Sequence, residues 1–597
     1  MHLLNRMWLK PAFILIAAFA LTACGGGGGG GSDAPVEPNP PVEPPAPPPP
    51  APPEPEVLTE NQAARFLSQS TFGPSQSAVD GLIDSGAEAW LLNEFDKPAT
   101  LLLPRVLAGF GADGEFRDDR GMPLPGVVFL GSDAFWQVAI EGDDQLRQRM
   151  AFALSQILVI SVNSALVQYP QTVAHYADIL AEGAFGNYRD LLTAITYSPA
   201  MSIYLTYLRN EKADPATGRV PDENYAREIL QLFTLGLIEL NPDGSPLLNE
   251  DGSQRELYDN DDVTELAKVF TGLSVPGIGF NAPLRFTPLT AFYSPLEMFD
   301  AFHSAEPKQF LGTTIPANTG GEETIELALD AIFAHPNVGP FVGRQLIQRF
   351  VTSAPSPAYV QRVAGAFDSG SYTLPSGTQV GTGARGDLKA VIAAVLFDEQ
   401  ARDDAMTLQD ERFGKLREPI LRFTHWARAF EINSADASNE LLLKDTARPD
   451  LLGQQAYRSP SVFNFYRPGY IAPGTETGDA GLTAPELQIT TASSIVGYPN
   501  FMTAYALGLS SQAGPGRNEP QAYQPDYSTQ LELANDADAL LDNLDTLLTH
   551  GALKSESRSR IIEVLDLIPA DDEEGRLLRA QLGIILVMTT PEYIVQR

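Results

Sequence analysis

Apolar positions recur every three or four residues through most of the chain after Leu58, and this spacing predicts a protein built of helices. TENQAARFLSQSTF opens with a Thr59 cap ahead of Ala63, Phe66 and Leu67. DDQLRQRMAFALSQILVIS reads as one long helix that becomes buried along its length. YRDLLTAITY, IELALDAIFAH, GPFVGRQLIQRFV, DLKAVIAAVLF, KLREPILRFTHWARAF and RLLRAQLGIILVMTTPEYI keep the same helical period. Few segments alternate with period two, and no fixed repeat suggests a solenoid. Pro/Gly-rich connections interrupt the helices around 101–131, 274–320 and 432–485. The expected fold is mainly α: one large, irregular multi-helix domain over 58–597, with long loops and at most small β-hairpins.

The first 57 residues break the pattern. Arg6 and Lys10 precede PAFILIAAFALTA, an apolar run too short to span a bilayer comfortably, so residues 1–23 read as an export signal. The ending LTAC resembles a bacterial lipoprotein signal, in which cleavage leaves Cys24 first and lipidated on its sulfur. Several acyl chains on one residue anchor far better than a single chain. Cys24 is the one cysteine, so its lipidation leaves the folded part without disulfides, thiolate catalysis or cysteine metal sites. Seven glycines and a proline-rich run follow, giving residues 24–57 the composition of a disordered tether. The expected location is the cell envelope, on the outer membrane or a periplasm-facing membrane surface in a Gram-negative cell. A formal charge of −35 makes nucleic acid an unsuitable partner and leaves basic partners or divalent cations open.

Candidate chemistry starts in PDENYAREILQLFTLGL, residues 221–237. Asp222 starts a helix and Gly236 offers a left-handed stop. A helical wheel puts Tyr225, Ala226, Ile229, Leu230, Leu232, Phe233 and Leu235 inside, and Arg227 outside beside Glu223. Glu228 falls inside the apolar sector, near Asn224 and Gln231. A buried carboxylate must be neutral, paired or metal-bound, so Glu228 is either half of an ion pair with an arginine from another helix or part of a polar site. In DNDDVTELAKVFTGL, Asp262 and Glu265 form a capping box ending at Gly272; a cation site at Asp259, Asp261 and Asp262 is the competing reading.

Between those helices, Glu239, Asn241, Asp243, Ser245 and Glu250 have the spacing of a calcium loop, with Gly244 sixth. Pro246 occupies a position normally aliphatic, and Asn-Pro-Asp-Gly is also a strong hairpin turn. The six histidines show no zinc-hydrolase spacing, and neither a nucleophile elbow nor a Gly-rich phosphate loop is present. His303, Glu306 and Lys308 in FHSAEPKQFLG form either a functional loop or a solvated one.

NYRDLLTAITYSPAMSIYL, PDENYAREILQLFTLGL, DDVTELAKVFTGL, the His303–Gly312 loop, GKLREPILRFTHWARAF, SPSVFNFYRPGY and TTPEYIVQR occur in that order. Together they closely resemble the bacterial family called domain of unknown function 1800, from about Leu58 to the end. The resemblance implies an exported, mostly helical protein without an established activity. It also implies a possible exported partner from the domain of unknown function 1501 family, which looks like a sulfatase or phosphatase relative. Many members follow the loop histidine with an acid, where this chain has Ser304; Glu306 is the substitute within reach. Two functions follow as expectations: a lipid-anchored binding or scaffold protein working with an exported partner, or an exported hydrolase using Glu228, His303 and nearby acids. Asn224, Asp262, Glu306 and Lys308 are the candidate binding residues, no cofactor is specified, and a divalent cation remains open.

Overall fold

Helices begin where short polar side chains can cap them. Thr59 and Gln62 form a reciprocal capping box at Glu60–Ser70, Asn187 caps Tyr188–Thr196, and Asp387 caps Leu388–Leu396. The computed structural model describes residues 57–597, apart from 111–128, 285–286, 409, 411, 435–442, 444 and 510–519. The expected signal at 1–23, Cys24 and the expected tether up to residue 56 lie outside the described residues. Within them the protein is mainly α, and its strands are two or three residues long, paired in two-stranded antiparallel ribbons.

Apolar side chains pack into two clusters. The first gathers Phe66, Tyr188, Ile229, Leu329, Leu346 and Ile392; the second gathers Trp136, Phe423, Trp426, Met502, Leu541 and Val587. Helix Gln145–Ser155 lies on the seam, sending Met150 and Leu154 into the first cluster and Phe152 into the second. All 11 of its residues are buried, Arg147 and Arg149 included. This placement brings guanidinium groups into the interior.

Five elements differ from their sequence reading. The helix expected to run through Ser161 stops at Ser155, and Ile157–Ile160 continue buried in non-helical backbone. KLREPILRF is not continuous helix: Pro419 occupies the first turn, where its missing N–H costs nothing, and its ring disfavours helix before it. Lys415–Leu416 is instead a strand, paired antiparallel with Val595–Gln596. The same rule breaks the last helix at Met588, with Thr590 capping a separate turn at Pro591–Ile594. The capping box lies one turn earlier than expected, with Asp259 as cap and Asp262 as its third residue.

The fifth difference concerns PDENYAREILQLFTLGL. Asn224–Glu228 is α-helical, but Ile229–Thr234 widens into a π-helix. The wider turn rotates every later side chain away from the α-helical wheel, so Leu232 is only half-buried while Thr234 is fully buried. Tyr225, Ala226, Ile229, Leu230, Phe233 and Leu235 are buried as expected, and Gly236 has the left-handed φ of 78°.

Candidate functional site

Glu228 ends the α-helical turn at the start of the π segment, 7% exposed. Among the described residues no arginine from another helix pairs with it, unlike the ion-pair reading. Its neighbour Arg227 turns outward to Glu223 and Asn260, each at 3.1 Å. The Glu228 Oε2 atom is buried without a hydrogen-bond partner, as is the hydroxyl of Tyr258. Burial raises the Glu228 carboxyl to about 7, with Arg227 pulling slightly the other way. Burial, with Glu228 adding to it, pushes the nearby Tyr204 hydroxyl up to about 12. Asn224 gives its backbone N–H to Asp222 at 2.9 Å and its Nδ2 to the Thr206 hydroxyl at 3.4 Å, and Gln231 is half-buried.

The His303 segment is not a solvated loop. His303, Ser304 and Lys308 are all buried, because Gly272 and the Lys308–Phe310/Thr313–Ile315 ribbon fold over them. Gly272 adopts φ +92°, and a side chain there would meet Met298, the Phe299 carbonyl and the His303 N–H. His303 Nδ1 donates to the Thr271 carbonyl at 2.9 Å, which leaves Nε2 as an acceptor. Lys308 Nζ donates to that nitrogen at 3.3 Å and to the Ser304 carbonyl at 2.7 Å. Burial, and then Lys268, lowers the Lys308 ammonium to about 8. Glu306 does not replace the missing acid beside His303; it pairs with Lys268 at 3.1 Å, which also holds Glu265 at 2.7 Å. Asp262 caps its own helix and accepts from the Leu311 N–H at 2.7 Å, tying the helix to the ribbon. Asp262, Glu265, Glu306, Lys308 and His303 are therefore brought together as a polar brace.

The calcium spacing folds as a hairpin ladder. Leu240 bridges Pro246, and Leu248 bridges Gln254. Asp243 accepts from the Ser245 N–H at 2.9 Å and from its hydroxyl, while Asn241 donates to Ser245 Oγ at 3.0 Å. Glu239 pairs with Arg255 across the hairpin, and Glu250 sits in the exposed second turn. Among the described residues no three His, Cys, Asp or Glu side chains gather where a metal ion could be held.

A further buried charge assembly went unread in the sequence. Arg149, Arg349, Lys415, Glu418 and Glu486 are each 1% exposed or less. Glu418 Oε2 accepts from Gln454 Nε2 at 2.6 Å, Gln156 Nε2 at 2.7 Å and the Tyr466 hydroxyl at 3.0 Å. Lys415 Nζ reaches Glu486 Oε1 at 3.4 Å and the Arg349 carbonyl at 2.9 Å; Arg149 donates to that carbonyl at 2.6 Å. The Arg349 guanidinium lies over the Tyr466 ring at 4.9 Å, and Arg422 lies over Tyr498 at 4.8 Å. Burial lowers Lys415 to about 8 despite Glu486 and Glu418. Above Glu418, Arg422 and Glu486 opens a pocket of about 260 Å³, walled mainly by Leu416, Leu452, Ile489 and Ile495. The signal was there: Arg149 and Arg349 stand among apolar residues at helical spacing, as Glu228 does.

Lys415, Glu418 and Arg422 come from GKLREPILRFTHWARAF, Tyr466 from SPSVFNFYRPGY, and the pocket residues Thr589 and Ile594 from TTPEYIVQR, whereas Arg149, Arg349 and Glu486 lie outside those motifs. The model of the family described as protein of unknown function (DUF1800) matches residues 65–595. The chain belongs to this family. Neither a curated protein nor a solved structure matches it. The DUF1800 match takes in the brace, the Glu228 turn and the buried charge assembly alike.

Proposed function

We propose that this DUF1800 protein is a lipid-anchored binding protein of the cell envelope that acts with an exported partner. The observation that supports the reading is the 260 Å³ pocket over Glu418, Arg422 and Glu486, where separated motifs converge. Its charged floor is held by hydrogen bonds and its walls are apolar, the usual make-up of a binding site. Ile495 on its rim and the adjacent Val496 are each 62% exposed, apolar area of the kind that a partner covers. By the family resemblance, the partner to look for is a domain of unknown function 1501 protein.

The test is capture from membranes with tagged, full-length protein, comparing wild type with the double variant Ile495→Asp, Val496→Asp. Loss of one defined partner with an unchanged melting curve is expected; retention of the same partner counts against this surface. No described helix is long and apolar enough to cross a membrane. Attachment is assigned to Cys24, so Cys24→Ser is expected to move the protein from the membrane fraction to the soluble one, or to leave it unprocessed. A mature Cys24→Ser protein that still sediments with membranes would refute the anchor.

One observation favours a second reading, an exported hydrolase-like enzyme. A carboxyl raised to about 7 with an unpartnered oxygen is poised for general acid work near neutral pH.

A further inference from the structure

The protein is strongly acidic, with 75 Asp and Glu against 40 Lys and Arg, so arginines find carboxylates easily. Arg65 pairs with Asp404, Arg189 with Glu326 and Asp330, and Arg362 with Asp398 and Glu399. Arg344 is an exception. It is half-buried on helix Val338–Phe350, and among the described residues no ion pair, hydrogen bond or ring contact reaches its side chain. Desolvation lowers its pKa. An arginine cannot shed its proton to escape that cost, so an unpaired guanidinium in a half-dry setting favours an incoming anion.

Arg344 lines a groove of about 580 Å³, which shares no lining residue with the pocket over Glu418. The groove is large enough for a small organic ligand. A second positive feature faces the same space. Ser356 and Pro357, the cap and first residue of the 13-residue helix Pro357–Ser369, line it, and no acid stands in that helix's first turn. The Ser356 hydroxyl takes the Tyr359 N–H, but no carboxylate of the helix itself offsets the positive end of its dipole. Arg412 lines the groove as a third positive group. Asp410 lines it too, accepting from the Arg412 N–H at 2.9 Å, and its charge steers an anion toward the Arg344 side. Pro355, Met406, Phe413 and Leu482 supply apolar wall, while Gln400 and Thr483 supply polar contacts.

We infer that this groove binds a small amphiphilic anion, its carboxylate or phosphate group paired with the Arg344 guanidinium and its apolar body against Phe413 and Leu482. The planar fork of arginine suits two parallel hydrogen bonds to either oxyanion. This inference is independent of the pocket over Glu418 and of any partner that binds there.

The test uses the purified full chain at low salt, titrated calorimetrically and in thermal melts with hexanoate and hexyl phosphate, and with hexanol and hexylamine as controls. At least one anion is expected to bind and raise the melting temperature, and which one identifies the headgroup. Hexanol and hexylamine are expected to do neither. Arg344→Gln should weaken anion binding about tenfold or more, the worth of a charge-assisted hydrogen bond, and Arg344→Lys should restore part of it. Because Arg344 holds no partner, the ligand-free melt of both variants should match wild type. No binding of either anion up to millimolar concentration overturns the inference. So does equal binding of hexanol or hexylamine, or unchanged anion binding by Arg344→Gln.

Discussion

Glu418→Gln is expected to destabilise the folded domain by about 3–5 kcal/mol, the usual cost of removing one side of a buried ion assembly. Glu418 is fully buried, and its Oε2 atom takes three hydrogen bonds, from Gln156, Gln454 and Tyr466. Glutamine keeps the shape but loses the charge that offsets Arg149, Lys415 and Arg422, each of which feels Glu418. It also brings two N–H donors to a place where three donors already converge. Lys415→Met should cost less, because burial already brings that ammonium down to about 8 and the methionine stem fills the same space. The measurement is the urea midpoint of the three proteins. A Glu418→Gln midpoint equal to wild type would mean that the assembly carries no net stability.

Glu228→Gln is expected to act in the opposite direction at alkaline pH. The folded carboxyl titrates at about 7, above its ordinary 4.5. Between those values the folded state keeps a proton that the unfolded chain gives up. Stability therefore falls as pH rises through that window and levels off above about 7, where the ionised group costs roughly 3 kcal/mol. The glutamine variant has no such slope, so its advantage over wild type should grow from pH 5 to pH 8 and then stop growing. Melts at four pH values in that range test this. Parallel curves for the two proteins would show that Glu228 is solvated, and a variant weaker by several kcal/mol at every pH would restore the arginine partner. If the stabilised variant also loses a chemical activity or a bound partner, the carboxyl is functional as well as strained.

Local chemistry was legible in the sequence to the extent that it acts over a few residues. Thr59 with Gln62, the turn at Asn241–Ser245 and the stop at Gly236 are all contacts between near neighbours. Glu228 was legible as a misfit because a wheel needs only its own turn. Its lack of an arginine was not, since that depends on what other helices bring. The π-helix was missed for a related reason: no side chain in ILQLFT forbids an α-helix, and the wider turn follows from packing. Arg349, Glu418 and Glu486 are assembled by three separate parts of the chain, so no single segment shows the assembly. The burial of His303 depended likewise on the Lys308–Phe310 ribbon and on Gly272, neither of which a loop composition reveals.

The pairing of Val595–Gln596 with Lys415–Leu416 sets an order on folding. Gln596 Nε2 also donates to the Phe350 carbonyl at 2.6 Å, across 246 residues of chain. The Lys415 strand thus has no neighbour on that side until residue 596 has been synthesised. Closures of such span come late and slowly. Lys415, on the strand that waits for that partner, is therefore expected to settle beside Glu486 among the last of the buried charges.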